Sequence, residues 1–134
     1  IKILMIKNIL LCLSEIYPKV GYCQGMNHIC HFLLIITENN EEEAFNIFSA
    51  IISKTTYNEI VLNDFKLMKK FFYVFDRLVN IYLPDLYITI NKINRVGSCF
   101  YISPWFITLF THSFQKNQTK LLLRIFDMFY CLVW

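Results

Sequence analysis

Apolar residues return every three or four positions along most of this chain, the spacing of helices that bury one face. Over residues 2–16, Leu4, Ile6, Ile9, Leu10 and Leu13 keep that spacing, with Lys7, Asn8, Ser14 and Glu15 on the other side. Pro18 disfavours helix in the residue before it and Gly21 follows three positions later, so residues 17–21 read as a loop. Residues 26–36 are apolar nearly all round, which predicts a helix buried at the centre. Asn40 followed by Glu43 resembles a capping pair, and the three glutamates at 41–43 occupy a first turn, where the helix dipole favours negative charge. Phe45, Ile47, Phe48, Ile51 and Ile52 carry this helix to about Lys54; the polar stretch 55–58 closes it and a loop follows.

Residues 64–82 form the longest amphipathic segment. Leu67, Phe71, Phe75, Leu78 and Tyr82 make an apolar seam, and Lys66, Lys69, Lys70, Asp76, Arg77 and Asn80 are available to solvent. Pro84 suits the first turn of the next helix, where its missing N–H would have had no partner. Leu86, Ile90 and Ile93 are expected to continue inward to about Val96, with Gly97 as the stop. Ser103-Pro104 reads as a capping hydroxyl followed by proline, which starts a helix bearing Trp105, Phe106, Leu109 and Phe110. A last helix begins near Thr119, with Leu122, Ile125, Phe126, Phe129 and Val133 on its apolar face. No segment competes as a strand, and there is no repeat, Gly/Ser linker or low-complexity block. The pattern predicts an all-α fold, an irregular multi-helix bundle of six or seven helices in one domain.

Composition agrees. The 134 residues are about one domain's length, and 56% hydrophobic against 17% charged residues excludes a disordered tail. Thirteen Phe, eight Tyr and two Trp against three Gly and three Pro disfavour a turn-rich β-sandwich. The net charge of +3 is mild and the lysines are dispersed, so a nucleic-acid partner is not expected. The mean hydropathy is +0.43, yet the longest apolar runs fall well short of the roughly 18 residues that a transmembrane segment needs. Lys2 and Lys7 interrupt the first apolar segment, so no signal peptide is read and a cytoplasmic setting is expected. Both termini lie in apolar helical pattern, without a polar lead-in or a cap, and the chain is expected to be one piece of a longer protein.

The five cysteines, at 12, 23, 30, 99 and 131, include no Cys-x-x-Cys pair and read as buried free thiols. His28 and His31 would share a helix face, but structural zinc wants four ligands in two local pairs, and His112 stands apart beside an apolar run. No metal site is expected; the histidines read as polar or half-buried.

Signatures of a self-sufficient enzyme are missing: there is no phosphate-binding Gly-rich loop, no His-Glu-x-x-His and no Gly-x-Ser-x-Gly. One segment stands out. Gly21-Tyr22-Cys23-Gln24-Gly25-Met26-Asn27 places two of the three glycines around a single glutamine where a loop enters a helix. Glycines there allow close backbone approach, and a glutamine amide both donates and accepts, which suits orienting a water rather than taking its proton.

Val20-Gly21-Tyr22-Cys23-Gln24-Gly25-Met26-Asn27 resembles the glutamine-finger motif (Tyr-x-Gln) of the TBC domain, the catalytic domain of GTPase-activating proteins for Rab small GTPases. Leu83-Pro84-Asp85-Leu86-Tyr87 and the block from Tyr101 to Phe110 look like that family's Pro-x-Leu and Trp-Phe-x-Thr-Leu-Phe segments. Arg124-Ile125-Phe126-Asp127 is similar to its Arg-Ile-Trp-Asp block, with Phe126 in place of the usual Trp. The motifs fall in the family's order over nearly the whole chain, which is thereby identified as the middle and later part of a single TBC domain.

The resemblance implies activity in trans. The partner is a Rab-type small GTPase in its GTP-bound state; GTP and Mg²⁺ belong to that partner, and the domain needs no cofactor of its own. Gln24 matches the glutamine that positions the attacking water, beside an arginine that neutralises charge on the transferring phosphoryl group. Gly21, Tyr22, Gly25 and Asn27 match positions that support the finger loop. The family's Ile-x-x-Asp-x-x-Arg motif, which carries the arginine, lies upstream of the glutamine motif, and this chain does not contain it. Lys2 and Lys7 lack the planar fork of a guanidinium, while Arg77, Arg95 and Arg124 lie in other contexts, so the segment alone is expected to be nearly inactive. The alternatives are a module that binds a small GTPase without catalysis, or a helical scaffold. Attachment to endomembranes is expected only peripherally, through the partner or through missing regions.

Overall fold

A computed structural model describes residues 1–62, 66–90, 97, 99–114 and 118–133, without the side chains of 129–133. Eight helices and no strand occur among these residues, an all-α bundle as the pattern predicts, with more helices than the six or seven expected. They are α1 (Lys2–Ile16), α2 (Met26–Ile36), α3 (Glu41–Lys54), α4 (Tyr57–Val61), α5 (Lys66–Tyr82), α6 (Pro84–Ile88), α7 (Cys99–Ile107) and α8 (Thr119–Val133).

The first three helices form the core. α2 packs against both α1 and α3, which also touch each other. Its Met26, Ile29, Cys30, Phe32, Leu33 and Leu34 are buried against Ile9 and Leu13 of α1 and Ala44, Phe48, Ile51 and Ile52 of α3. His31, Ile35 and Ile36 remain exposed, so α2 is central without being covered on every side. Asn40 caps α3 as its sequence predicts: its Oδ1 accepts the Glu43 N–H at 3.1 Å. α8 closes one flank through Leu122 and Phe126, the latter with its ring 4.7 Å from that of Phe32.

The second half departs from the sequence reading in four places. α4 occupies residues expected to be loop; it is a single short turn of helix whose Tyr57 is buried and donates its hydroxyl to the Ile107 carbonyl at 2.9 Å. α5 is rotated from the expected seam. Met68 and Val79 are its buried positions, whereas Leu78 and Tyr82 are exposed; the helix packs on α4, α6 and α7. Pro84 opens α6 as predicted, but Leu86 is exposed and α6 buries no residue; Ile93 and Val96 lie outside the described residues.

The fourth departure concerns α7, which starts at Cys99 and carries Pro104 inside it. Ser103 is not its cap: the hydroxyl donates back to the Cys99 carbonyl at 2.6 Å, a bond typical of a helix interior. The helix also stops sooner than its apolar run suggests, since Leu109 and Phe110 adopt positive φ (47° and 65°) and turn the chain away. Buried thiols were expected throughout, yet only Cys30 is fully buried among the described cysteines; Cys12 and Cys99 are exposed and Cys23 is half-buried.

Candidate functional site

The loop between α1 and α2 presents Gln24, and three local devices set its course. The Tyr17 carbonyl accepts the N–H groups of both Val20 and Gly21 at 2.9 Å, folding the chain back at the end of α1. Gly21 takes φ +57°, a left-handed value that suits glycine at this turn. Tyr17 also anchors the loop to α3, its hydroxyl 2.7 Å from Ser49 Oγ. Beyond Gln24 the chain enters α2 through Gly25, which has φ +111° and ψ −22° at the N-cap.

Gly25 is buried, and it must be glycine for a spatial reason as well. A Cβ built there would lie 3.0 Å from Cγ2 of both Ile107 and Thr108, at the end of α7. The Gln24 loop therefore rests directly on α7. The Cys23 N–H donates to Met26 Sδ at 3.2 Å and the Cys23 carbonyl accepts the Met26 N–H at 3.1 Å, which closes the loop on its other side.

These contacts leave a groove of about 590 Å³. Tyr22, Gln24, Gly25 and Asn27 line one wall; Ser103, Pro104, Ile107 and Thr108 line the other, with His28 and His112 at the rim. Four of the five residues that the sequence singles out are thus brought together, and Gly21 sits behind them in the turn. Gln24 is exposed, and among the described residues nothing hydrogen-bonds its amide, which leaves both its donor and its acceptor free for an incoming molecule. Tyr22 is also turned outward, 57% exposed, so its ring is available to a partner instead of being spent on the loop. Asn27 is half-buried in the first turn of α2.

The far wall was not legible as part of this site, because it lies about 80 residues further along. Its only signal is the Trp-Phe-x-Thr-Leu-Phe block, which carries no chemistry of its own. Thr108 is buried there, donating its hydroxyl to the Pro104 carbonyl at 2.6 Å and accepting the His112 N–H at 3.3 Å. His112 does not stand apart as its sequence position suggests: its ring lies 4.4 Å from that of His28. His28 is held below the usual histidine range by partial burial and then by the charges of His112 and His31. Burial also pushes up the Cys23 thiol beside Gln24, which keeps it protonated and unsuited to nucleophilic work. Among the described residues no group of three or more His, Cys, Asp or Glu could hold a metal ion. Arg77 and Arg124 are exposed on α5 and α8 and neither lines the groove; Arg95 lies outside the described residues.

A family model for the Rab-GTPase-TBC domain matches residues 2–133. The chain belongs to the TBC family. Among its TBC relatives, GTPase-activating protein GYP5 of Saccharomyces cerevisiae is 36% identical over 113 residues, 83% of this chain and 12% of that protein. TBC1 domain family member 1 of Bos taurus is 31% identical over 127 residues, 95% of this chain and 10% of that protein. TBC domain-containing protein kinase-like protein of Homo sapiens is 32% identical over 102 residues, 76% of this chain and 11% of that protein. The chain thus spans about a tenth of the length of the curated TBC relatives it matches. No helix among its described residues is long and apolar enough to cross a membrane.

Proposed function

We propose that this TBC segment is the glutamine-bearing part of a GTPase-activating domain that accelerates GTP hydrolysis by a Rab-type small GTPase. The observation that carries the reading is the exposed side-chain amide of Gln24, unpartnered among the described residues, on a loop pinned by Gly25 against α7 at the edge of a groove. A side chain that must reach into another protein has to be free of its own, and a loop that must place it repeatably has to be rigid behind it.

In this reading the partner supplies GTP and Mg²⁺, and the chain needs no cofactor. The Gln24 side-chain carbonyl accepts a hydrogen bond from the attacking water while its NH₂ faces the transferring phosphoryl oxygens, so the water is aligned without being deprotonated by the protein. Gly21, Gly25 and Asn27 hold the loop, and Tyr22 meets the GTPase surface. The arginine that neutralises developing charge comes from sequence outside this chain. The domain acts in the cytoplasm and reaches membranes only through what it binds. The name of the yeast relative, a GTPase-activating protein, supports the same activity class.

The experiment is single-turnover GTP hydrolysis by a panel of GTP-loaded Rabs with the full-length protein and its Gln24→Ala variant. Acceleration by the wild type that the variant loses supports the reading. Binding of GTP-loaded partners with no acceleration by either protein overturns it in favour of a recognition module.

A further inference from the structure

A second, wholly different space lies behind the groove. A cavity of about 150 Å³ sits between α4, α5, α7 and α8, walled by the rings of Tyr57, Phe71, Trp105, Phe106, Phe110 and Phe126. Phe71, Trp105, Phe106 and Phe110 are only half-buried, so the space is reachable from solvent, and a pocket walled by aromatic rings favours an apolar occupant.

The walls are fixed in ways that keep the space open. Tyr57 cannot swing inward, because its hydroxyl is committed to the Ile107 carbonyl at 2.9 Å. Phe71 and Phe106 stack on each other at 4.8 Å with their planes 13° apart, and Trp105 stacks on Phe110 at 5.8 Å. Leu109 and Phe110 hold left-handed backbone conformations that ordinary residues adopt only when the surroundings impose them. Those two residues end α7 at the cavity edge instead of letting the helix run on and fill it.

We infer that this aromatic cavity is a binding site for a small, uncharged, ring-sized apolar ligand, separate from the Gln24 groove. Its chemistry selects by exclusion: among the described residues no charged side chain lines it, Tyr57 has its hydroxyl already engaged, and Thr56 and Trp105 contribute one hydroxyl and one indole N–H. A charged or strongly hydrated molecule would lose its water and regain few partners. A planar ring instead meets aromatic faces and edges on several sides.

The test uses benzene as the probe and methyl-labelled full-length protein. Titrated benzene is expected to give saturable NMR shifts at Ile60, Leu109 and Ile125, the methyl-bearing residues of the wall, and none at the exposed Ile3 and Ile81. Filling the space with Ile60→Phe, or with Ile125→Phe from the opposite wall if the first fails to fold, abolishes those shifts. Gln24→Ala leaves them unchanged, so failure of the GTPase reading does not touch this one. Non-saturating shifts, or shifts spread equally over the exposed methyls, overturn the inference whether or not the filled variants fold.

Discussion

Gly25 and Thr108 touch with no room for a methyl group between them: a Cβ on Gly25 would lie 3.0 Å from Thr108 Cγ2. Gly25 also sits at φ +111°, outside the range that L residues adopt without strain. Gly25→Ala therefore combines a backbone penalty of roughly 1–2 kcal/mol with overpacking of about 1–3 kcal/mol. A lower melting temperature and loss of any GTPase activation are the expected result. A variant that melts with the wild type would show that α7 gives way easily.

Gln24→Ala should behave in the opposite manner. The side chain is exposed and bonded to nothing among the described residues, so its removal leaves melting unchanged. In the proposed function its interaction exists only in the transition state, and kcat/KM for GTP hydrolysis should then fall on the order of 10²-fold or more with partner binding intact. Parallel loss of binding and rate would assign Gln24 to recognition instead.

Tyr57→Phe isolates the link between α4 and α7. It leaves the ring in the core and removes the donor to the Ile107 carbonyl, which costs about 1–3 kcal/mol for a buried group left unsatisfied. Tyr22→Phe, at an exposed ring, serves as the control and should not change melting. Equal melting of the two variants would mean that water replaces the lost bond.

The His28–His112 contact predicts a pH dependence whose sign follows from burial. His28 titrates below its ordinary value in the folded chain, so the fold favours the neutral ring; its contribution is complete above about pH 6.5 and is lost as pH falls through the folded value. His28 is half-buried at the groove, where screening by solvent keeps the effect small. Melting curves between neutral and mildly acid pH should show a decline that His112→Ala reduces, since that change removes a neighbouring charge. An identical pH profile in the variant would exclude the pair as the cause.

Thiol labelling should follow burial. Cys12 and Cys99 are exposed and react first with an alkylating reagent at mildly alkaline pH, whereas Cys30 is buried and pushed up to about 12. Cys30 should become reactive only on unfolding. Early labelling of Cys30, read by peptide mass spectrometry, would place α2 nearer the surface.

The first three helices were legible from sequence because each boundary carries its own chemistry: Pro18 ends one, Gly25 begins the next, and the Asn40 side chain caps the third. α4 was not, since five residues are too few for a period and its stability comes from Tyr57 reaching a carbonyl 50 positions away. Ser103-Pro104 misled for a related reason. A hydroxyl before proline can cap a helix or bond back inside one, and the Ser103 bond to the Cys99 carbonyl is the second kind. For α5, Leu78 and Tyr82 share the apolar period with Phe71 and Phe75, but period alone does not say which edge of a broad stripe meets a neighbour. The Gln24 loop was readable through its two glycines, and its opposite wall was not, because packing partners leave no local mark.

Bare backbone at Gly25 has a mechanical consequence. A side chain between two elements acts as a cushion, its rotamers absorbing small displacements before they pass on. Here Gly25 brings no cushion of its own, only the Cγ2 methyls of the β-branched Ile107 and Thr108 lie between, and Ile107 also receives the Tyr57 hydroxyl at its carbonyl. The loop and the end of α7 must then shift together, like a pointer fixed to its arm. How far Gln24 reaches therefore depends on the seating of a helix 80 residues downstream as well as on its own loop.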